Sequence, residues 1–519
     1  MKKKTIWEQS LQNWFAVMLV GMIVTILFLY FSQGMSGNDY WWHVKTGEWI
    51  VSHGRVPQTD IYSWVGRQKE ILWTPHEWLS EVCFYEIRGA AGDEGVYLFC
   101  AAGAVGLNLC MLWVNRKRLL DNCIFTLFFS AFFAAVSGIL CYGRPHFFTF
   151  FLLFAELHCL YTYLEYPESN CIYKLPILGL LWGNLHAGSA PLSYLLPALL
   201  FVSGIWDIRL GRLCSHKFDK KELGKLAFFT LWSAMCICIN PLGGKALTYP
   251  YTQVGQALQM QIIAEWGAPD IKQTGQLILY FFPVFLTIIG ILLTKKDVRL
   301  FDVLIMGLFG YLFLRSKRFI ILYEIAAGFW AFRYTLPVKV KEKNGGVEKG
   351  LAVLAMTALI GAGCAASVLV GRTCMSGSCI SMELSQEMLE FVKQEKPQRL
   401  FNDYDYGGEL IFNDISVFFD GRADVYSDVG ILSDGVSLLF LQKINLEKII
   451  DRTGRENQAV SQNFVTDMLE KYDFDGFLVR DTRPLYEFLR SCPHEYELLY
   501  ETGGAAYFRR IKGGDGTKK

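Results

Sequence analysis

The sequence predicts a polytopic α-helical membrane protein that ends in a separate α/β domain. Two observations predict the membrane part. The 519 residues are 52% hydrophobic and only 19% charged, whereas a soluble domain carries about 25% charged residues. Long apolar runs also recur as far as residue 371. The third observation is a change of pattern from residue 372 onward, where short strand-like runs alternate with amphipathic stretches.

The first apolar run, 14–31, approaches the ~20 residues a helix needs to cross hydrocarbon. Met1-Lys2-Lys3-Lys4 has the look of a signal n-region, but no small-residue cleavage site precedes Asp39, so the run is read as an uncleaved span. Further runs lie near 96–114, 123–141, 147–164, 173–185, 190–207, 226–240, 277–294, 300–314, 319–335 and 350–371. Together they make about eleven spans. The run 173–185 is short and suits a half-helix. No internal repeat of the kind found in many secondary transporters is present.

Basic residues alternate between loops. Lys2–Lys4, Arg116–Arg118, the Arg209–Lys225 cluster, Lys295–Arg299 and Lys339–Lys349 occupy every second loop. The positive-inside trend makes those loops cytoplasmic. The N-terminus is then cytoplasmic and residues 372–519 are extracytoplasmic, in a cell membrane. The chain divides at that point into a membrane domain, 1–371, with a large first outside loop, 33–95, and the tail, 372–519. In the tail, strands are expected at 399–401, 408–412, 417–419 and 476–479, and helices at 382–394, 440–451 and 460–471. A hairpin is expected around Gly503-Gly504. The formal net charge of +1 gives no reason to expect nucleic acid as a partner. The cysteines are scattered through apolar runs, no spacing reads as a zinc site, and only Cys374 and Cys379 lie close enough in sequence to suggest a pair.

The outside loops hold most of the unusual polar residues. Asp39, His43, His76 and Glu77 lie in the first, Arg144 and His146 in the next, and Asn184 and His186 in the third. Glu265 follows, and Arg315, Lys317 and Arg318 sit together against the positive-inside trend, which suggests an anionic ligand. Each has an ordinary alternative. A lone loop aspartate is most often a helix cap, interfacial histidines bond to backbone, and arginines snorkel to headgroups. Trp41, Trp42, Trp49, Trp73 and Trp78 suit either sugar stacking or an aromatic belt. His76-Glu77-Trp78-Leu79-Ser80 lacks the second histidine of the zinc-protease pattern. Asp403, Asp405, Asp420 and Asp424 suit turn chemistry or a surface that meets sugar.

Several segments resemble bacterial membrane proteins related to the GT-C glycosyltransferase superfamily. They are Asp39–Trp49, Gly54–Ser63, His76–Glu81, Arg144-Pro145-His146, Asn184–Gly188, Asn402–Gly408 and Asp420–Asp424. The resemblance implies a GT-C-like fold and transfer of a sugar from a polyprenyl-phosphate donor to an envelope glycan, lipid or protein acceptor on the outer face. It makes Asp39 the base, or the residue that orients the acceptor, with His43 and Glu77 beside it. His76, Arg144, His146, Asn184, His186, Glu265, Arg315 and Arg318 become candidates for substrate binding. A base opposite the leaving group predicts inversion. Many GT-C enzymes carry paired acidic residues in the first outside loop. Here Asn38 and Tyr40 flank Asp39, which leaves a divalent cation as an option and not a requirement. Two other classes stay open: a flippase or transporter of a lipid-linked saccharide, and a non-catalytic envelope assembly protein.

Overall fold

The computed structural model describes residues 6–31, 37–119, 122–253, 259, 263–335, 380, 382–441 and 462–511. The expected span 350–371, the Cys374–Cys379 pair and most of the expected helix 440–451 lie outside them. The chain forms two compact units. One comprises Met1–Met35, Ile87–Pro250 and Glu265–Ile380; the other comprises Ser36–Glu86, Tyr251–Ala264 and Ser381–Lys519.

The first unit is mainly helical, with one small sheet of the two-residue strands Arg209–Leu210, Leu213–Cys214 and Val298–Arg299. Every apolar run within the described residues is helix, from Ile6–Phe31 to Ile320–Tyr334. By length and composition, three helices among the described residues suffice to cross a membrane: Trp78–Asn115, His146–Glu165 and Thr274–Leu293. The expected eleven spans are therefore not reached among the described residues. Several other apolar helices are shorter. Leu175–Leu185 has only 11 residues, about 16 Å of rise against a ~30 Å hydrocarbon core. It packs tightly against Lys220–Cys236. A Cβ on Gly179 or Gly183 would collide with the backbone of Ser233 or Ile237, and such small-residue seams let helix backbones meet in lipid. Buried amides join other helices. Asn108 Nδ2 donates to Ser137 Oγ at 2.9 Å, and Asn115 Nδ2 donates to the Gly328 carbonyl at 2.6 Å.

The second unit contains a four-stranded sheet. Its strands are β1 (Leu400–Asn402), β2 (Gly476–Arg480), β3 (Tyr496–Thr502) and β4 (Ala505–Arg510), in the order β1-β2-β4-β3. β1 and β2 are parallel, pairing Phe401 with Phe477; the other ladders are antiparallel. Gly503 and Gly504, at φ of 60° and 81°, make the expected hairpin turn, since both positions need the left-handed region. Two expected strands are corrected. Residues 407–412 form the helix Gly407–Phe412, and its Glu409 carboxylate accepts from the backbone N–H groups of Glu383 (2.6 Å) and Leu384 (2.8 Å), a tertiary contact that the local sequence does not show. Residues 417–419 join no strand; Val417 makes only an isolated bridge to Ser63.

The first loop is not an appendage of the spans. Trp42, Trp64, Val65, Ile71 and Trp73 share one core with Leu400, Phe401, Phe418 and Phe477, and Trp64 Nε1 donates to the Leu400 carbonyl at 3.0 Å. Burying large aromatics removes more apolar surface than the loop could cover alone. A charged cluster fixes the register. The Arg422 guanidinium, 1% exposed, pairs with Asp420 (2.7 Å) and Asp60 (2.9 Å), both fully buried. Trp73 and Tyr62 lie 4.5 and 4.9 Å from its Cζ. Tyr426 OH donates to Asp420 Oδ2 at 2.5 Å, and Ser63 Oγ donates to Asp60. Burial pushes the Asp60 carboxyl up, but Arg422, Ser63 and the Tyr62 backbone hold it below its usual range. Removing the cation leaves two buried carboxylates, so Arg422→Gln should destabilise this unit by about 3–5 kcal/mol, measured by denaturant unfolding of the purified full chain.

Candidate functional site

The candidate residues fall into one cluster in each unit. In the second unit, the helix Asn38–His53 carries Asp39 in its first turn, where the unpaired N–H groups favour a carboxylate. Trp42 Nε1 donates to Asp39 Oδ1 at 3.2 Å. Thr46 Oγ1 donates to the Trp42 carbonyl at 2.8 Å and accepts from Tyr62 OH at 3.1 Å. The helix thus carries Asp39, Trp42, His43 and Thr46 on one face. Opposite the carboxylate is Gly421, between the two members of the buried ion pair. A Cβ there would collide with Asp39 Oδ1, so glycine is what lets the Asp420-Gly421-Arg422 turn reach Asp39.

His43 is buried against Trp42, with ring centroids 3.6 Å apart. Its Nδ1 lies 3.3 Å from Glu81 Oε1 and its Nε2 3.8 Å from Glu77 Oε2. His76 Nε2 is 3.3 Å from Glu77 Oε1. Burial lowers the His76 pKa, but Glu77, with Asp424 behind it, outweighs this and the net shift is upward. Trp41, Trp42 and Trp73 are buried in packing, which removes them as sugar platforms. A cleft of about 440 Å³ in the same unit is lined by Lys45, Glu48, Trp49, Tyr62, Arg67 and Ser416.

In the first unit, Arg144 Nη1 pairs with Glu265 Oε1 at 2.7 Å, and Tyr142 OH donates to Glu265 Oε2 at 3.5 Å. Arg318 lies over the Trp266 ring at 4.7 Å. Ser316 Oγ donates to the Glu265 carbonyl (3.2 Å) and the Lys317 N–H to the Gly267 carbonyl (3.1 Å), which anchors the arginine turn to the Glu265 segment. Arg315 ends the helix Leu300–Arg315. His146 Nε2–H donates to the Leu140 carbonyl at 3.0 Å; a carbonyl only accepts, so that nitrogen carries the proton. His186 Nδ1 lies 2.7 and 2.8 Å from the hydroxyls of Thr149 and Ser189. Asn184 Nδ2 donates to the Leu180 and Ile239 carbonyls, a joint between backbone segments.

Two features escaped the sequence analysis. Arg422 and Asp60 pair across most of the chain, which no local pattern records. Glu81 stands four residues after Glu77, and that spacing on one helix face was the available signal.

Burial pushes Glu265 up, but Arg144 and Arg318 pull it further down, to about 2. Its lowered pKa contributes stability that is present above the unfolded value, near 4.5, and lost as pH falls through the folded one. Wild-type protein should therefore lose thermal stability between about pH 4.5 and 2 more steeply than Arg144→Gln. At neutral pH that variant should be about 1–3 kcal/mol less stable. Thermal unfolding scans across that pH range measure both effects.

No known family profile and no curated protein matches the chain. Solved structures do. The archaeal oligosaccharyltransferase AglB from Archaeoglobus fulgidus, in complex with an inhibitory peptide and a dolichol-phosphate, aligns over 92% of this chain and 70% of its own, with a TM-score of 0.54 and 11% identity. The Archaeoglobus fulgidus oligosaccharyltransferase tethered to an acceptor peptide containing the NVT sequon aligns over 96% and 74%, with a TM-score of 0.54 and 12% identity. Its apo form gives 90%, 69%, 0.51 and 12%. At this identity the likeness is one of fold: the chain shares its fold with these archaeal oligosaccharyltransferases.

Proposed function

We propose that this chain is a membrane glycosyltransferase that moves a saccharide from a polyprenyl-phosphate donor to an acceptor outside the membrane. The observation that carries the reading is the Asp39 carboxylate on this fold. It sits at a helix start, held on one side by Trp42 Nε1 and approached on the other by Gly421. The solved relatives by fold bind a dolichol-phosphate and an acceptor peptide, which supports a lipid-linked donor here and an acceptor that is a protein, glycan or lipid.

In this reading Asp39 accepts the proton of the attacking acceptor group as the new glycosidic bond forms. The bond from the anomeric carbon to phosphate breaks, and the phosphate leaves with the electron pair. Attack from the face opposite the leaving group inverts the anomeric centre. The leaving phosphate needs cations. Arg144 is in direct contact with Glu265, whereas Arg318 acts on it only at longer range and stacks on Trp266, so Arg318 is the proposed phosphate ligand, with Arg315 three residues before it. The hydroxyl-lined His186 and the His146 ring belong to the same unit and support binding. The cleft beside Trp49 and Lys45 suits a polar acceptor.

A second reading, translocation of a lipid-linked saccharide, is favoured by Glu156 and Glu324. Both are buried in helices of the first unit, and neither carboxylate has a hydrogen-bond partner among the described residues. Carboxylates buried in apolar helices are costly, and substrate or ion pathways are among the functions they mark.

Asp39→Asn should lower transfer at least about 100-fold at unchanged expression, read by mass spectrometry of lipid-linked and envelope glycans. An unchanged glycan profile removes Asp39 from the mechanism. Gly421→Ala should lower turnover more than donor affinity, because it displaces the carboxylate and leaves the first-unit cations intact. Loss of translocation in Glu156→Gln with full transfer activity would favour the second reading.

A further inference from the structure

His43, Glu77 and Glu81 form a cluster that the reading above does not use. The three belong to one unit. His43 comes from the middle of the helix Asn38–His53, Glu77 from the residue before the helix Trp78–Asn115, and Glu81 from its first turn. One nitrogen or oxygen of each lies within 4.8 Å of the other two. His43 and Glu81 are buried and Glu77 is half-buried.

Glu77 and Glu81 converge on the buried His43 imidazole, and His76 meets the other oxygen of Glu77, Oε1, at 3.3 Å. Glu81 uses Oε1 toward His43 Nδ1 at 3.3 Å, a long contact for a charge-assisted bond. Its Oε2 is buried and has no hydrogen-bond partner among the described residues. A buried, unsatisfied carboxylate oxygen is costly, and here it belongs to a set that already presents one imidazole and a second carboxylate. One imidazole and two carboxylates, each offering a ligand atom, are the donor set of a divalent metal site.

We propose that His43, Glu77 and Glu81 bind one divalent transition-metal cation, zinc or manganese. The imidazole selects against magnesium and calcium, which prefer all-oxygen shells. Asp39 is not a ligand. It shares the helix with His43 but is engaged with Trp42 and packed against Gly421. The cation fixes the Asn38–His53 helix to the start of the Trp78–Asn115 helix, so its role is to position the segment that carries Asp39. The inference does not depend on the transfer reading, because metal binding is measured without turnover.

The test uses the full-length protein in nanodiscs, with any polyhistidine tag removed. The protein is stripped with chelator, reloaded with zinc or manganese, and separated from free ion. Elemental analysis should find about one metal per chain, and reloading should raise the thermal midpoint. Glu81→Gln keeps the side-chain shape and removes the charge, so it should lose stoichiometric metal and the metal-induced rise in midpoint. Its metal-free midpoint should equal or exceed that of the stripped wild type, because like charges no longer face each other. Glu77→Gln is the second variant and, being partly exposed, is the safer one to fold; it should also lose metal. Wild-type protein that retains neither ion after reloading overturns the proposal and leaves a shared proton as the guest. Equal occupancy in wild type and both variants overturns it as well.

Discussion

The Arg422 ion pair organises the part of the molecule that carries Asp39. A guanidinium buried between two carboxylates and two aromatic rings has few alternative partners, so the segments that supply them must come together in one register. Asp60, Tyr62 and Trp73 come from the first loop, and Asp420 and Tyr426 from the tail. Buried pairs add little net stability, but they punish wrong arrangements heavily. Here that specificity has a chemical consequence. The residue between Asp420 and Arg422 is the glycine that touches the Asp39 carboxylate.

The same logic separates residues that hold the structure from residues that remain free to act. Asp60, Asp420, Asn184 and Arg144 each have a partner that accounts for them. The aromatic residues divide in the same way. Trp41, Trp42 and Trp73 belong to packing, whereas Trp49 lines a cleft and Trp266 carries Arg318. A polar residue in an outside loop is thus not functional by its position alone; its partners decide.

Much of this was legible in the sequence. Apolar runs long enough to be helices are helices, because burying their side chains requires the backbone to satisfy itself. Gly503-Gly504 read as a turn because only glycine enters the left-handed region cheaply. The helical face shared by Asp39, Trp42, His43 and Thr46 followed from spacing. Three things were not legible. Residues 408–412 read as a short strand-like run, but they form helix, and the Glu409 carboxylate is taken up by the backbone N–H groups of Glu383 and Leu384, partners that no local pattern shows. Asp420-Gly421-Arg422 reads locally as a turn, and nothing local reveals that Arg422 pairs with Asp60. The membership of the first loop in the tail's unit follows from those same distant partners, which composition cannot show.

Hydrogen exchange tests the central claim, that the first loop and the tail are one cooperative unit tied by Arg422. In Arg422→Gln, amide protection should fall together in residues 56–73 and 417–426, with both segments exchanging at a common rate. Protection lost only in 417–426, with 56–73 unchanged, would contradict the account.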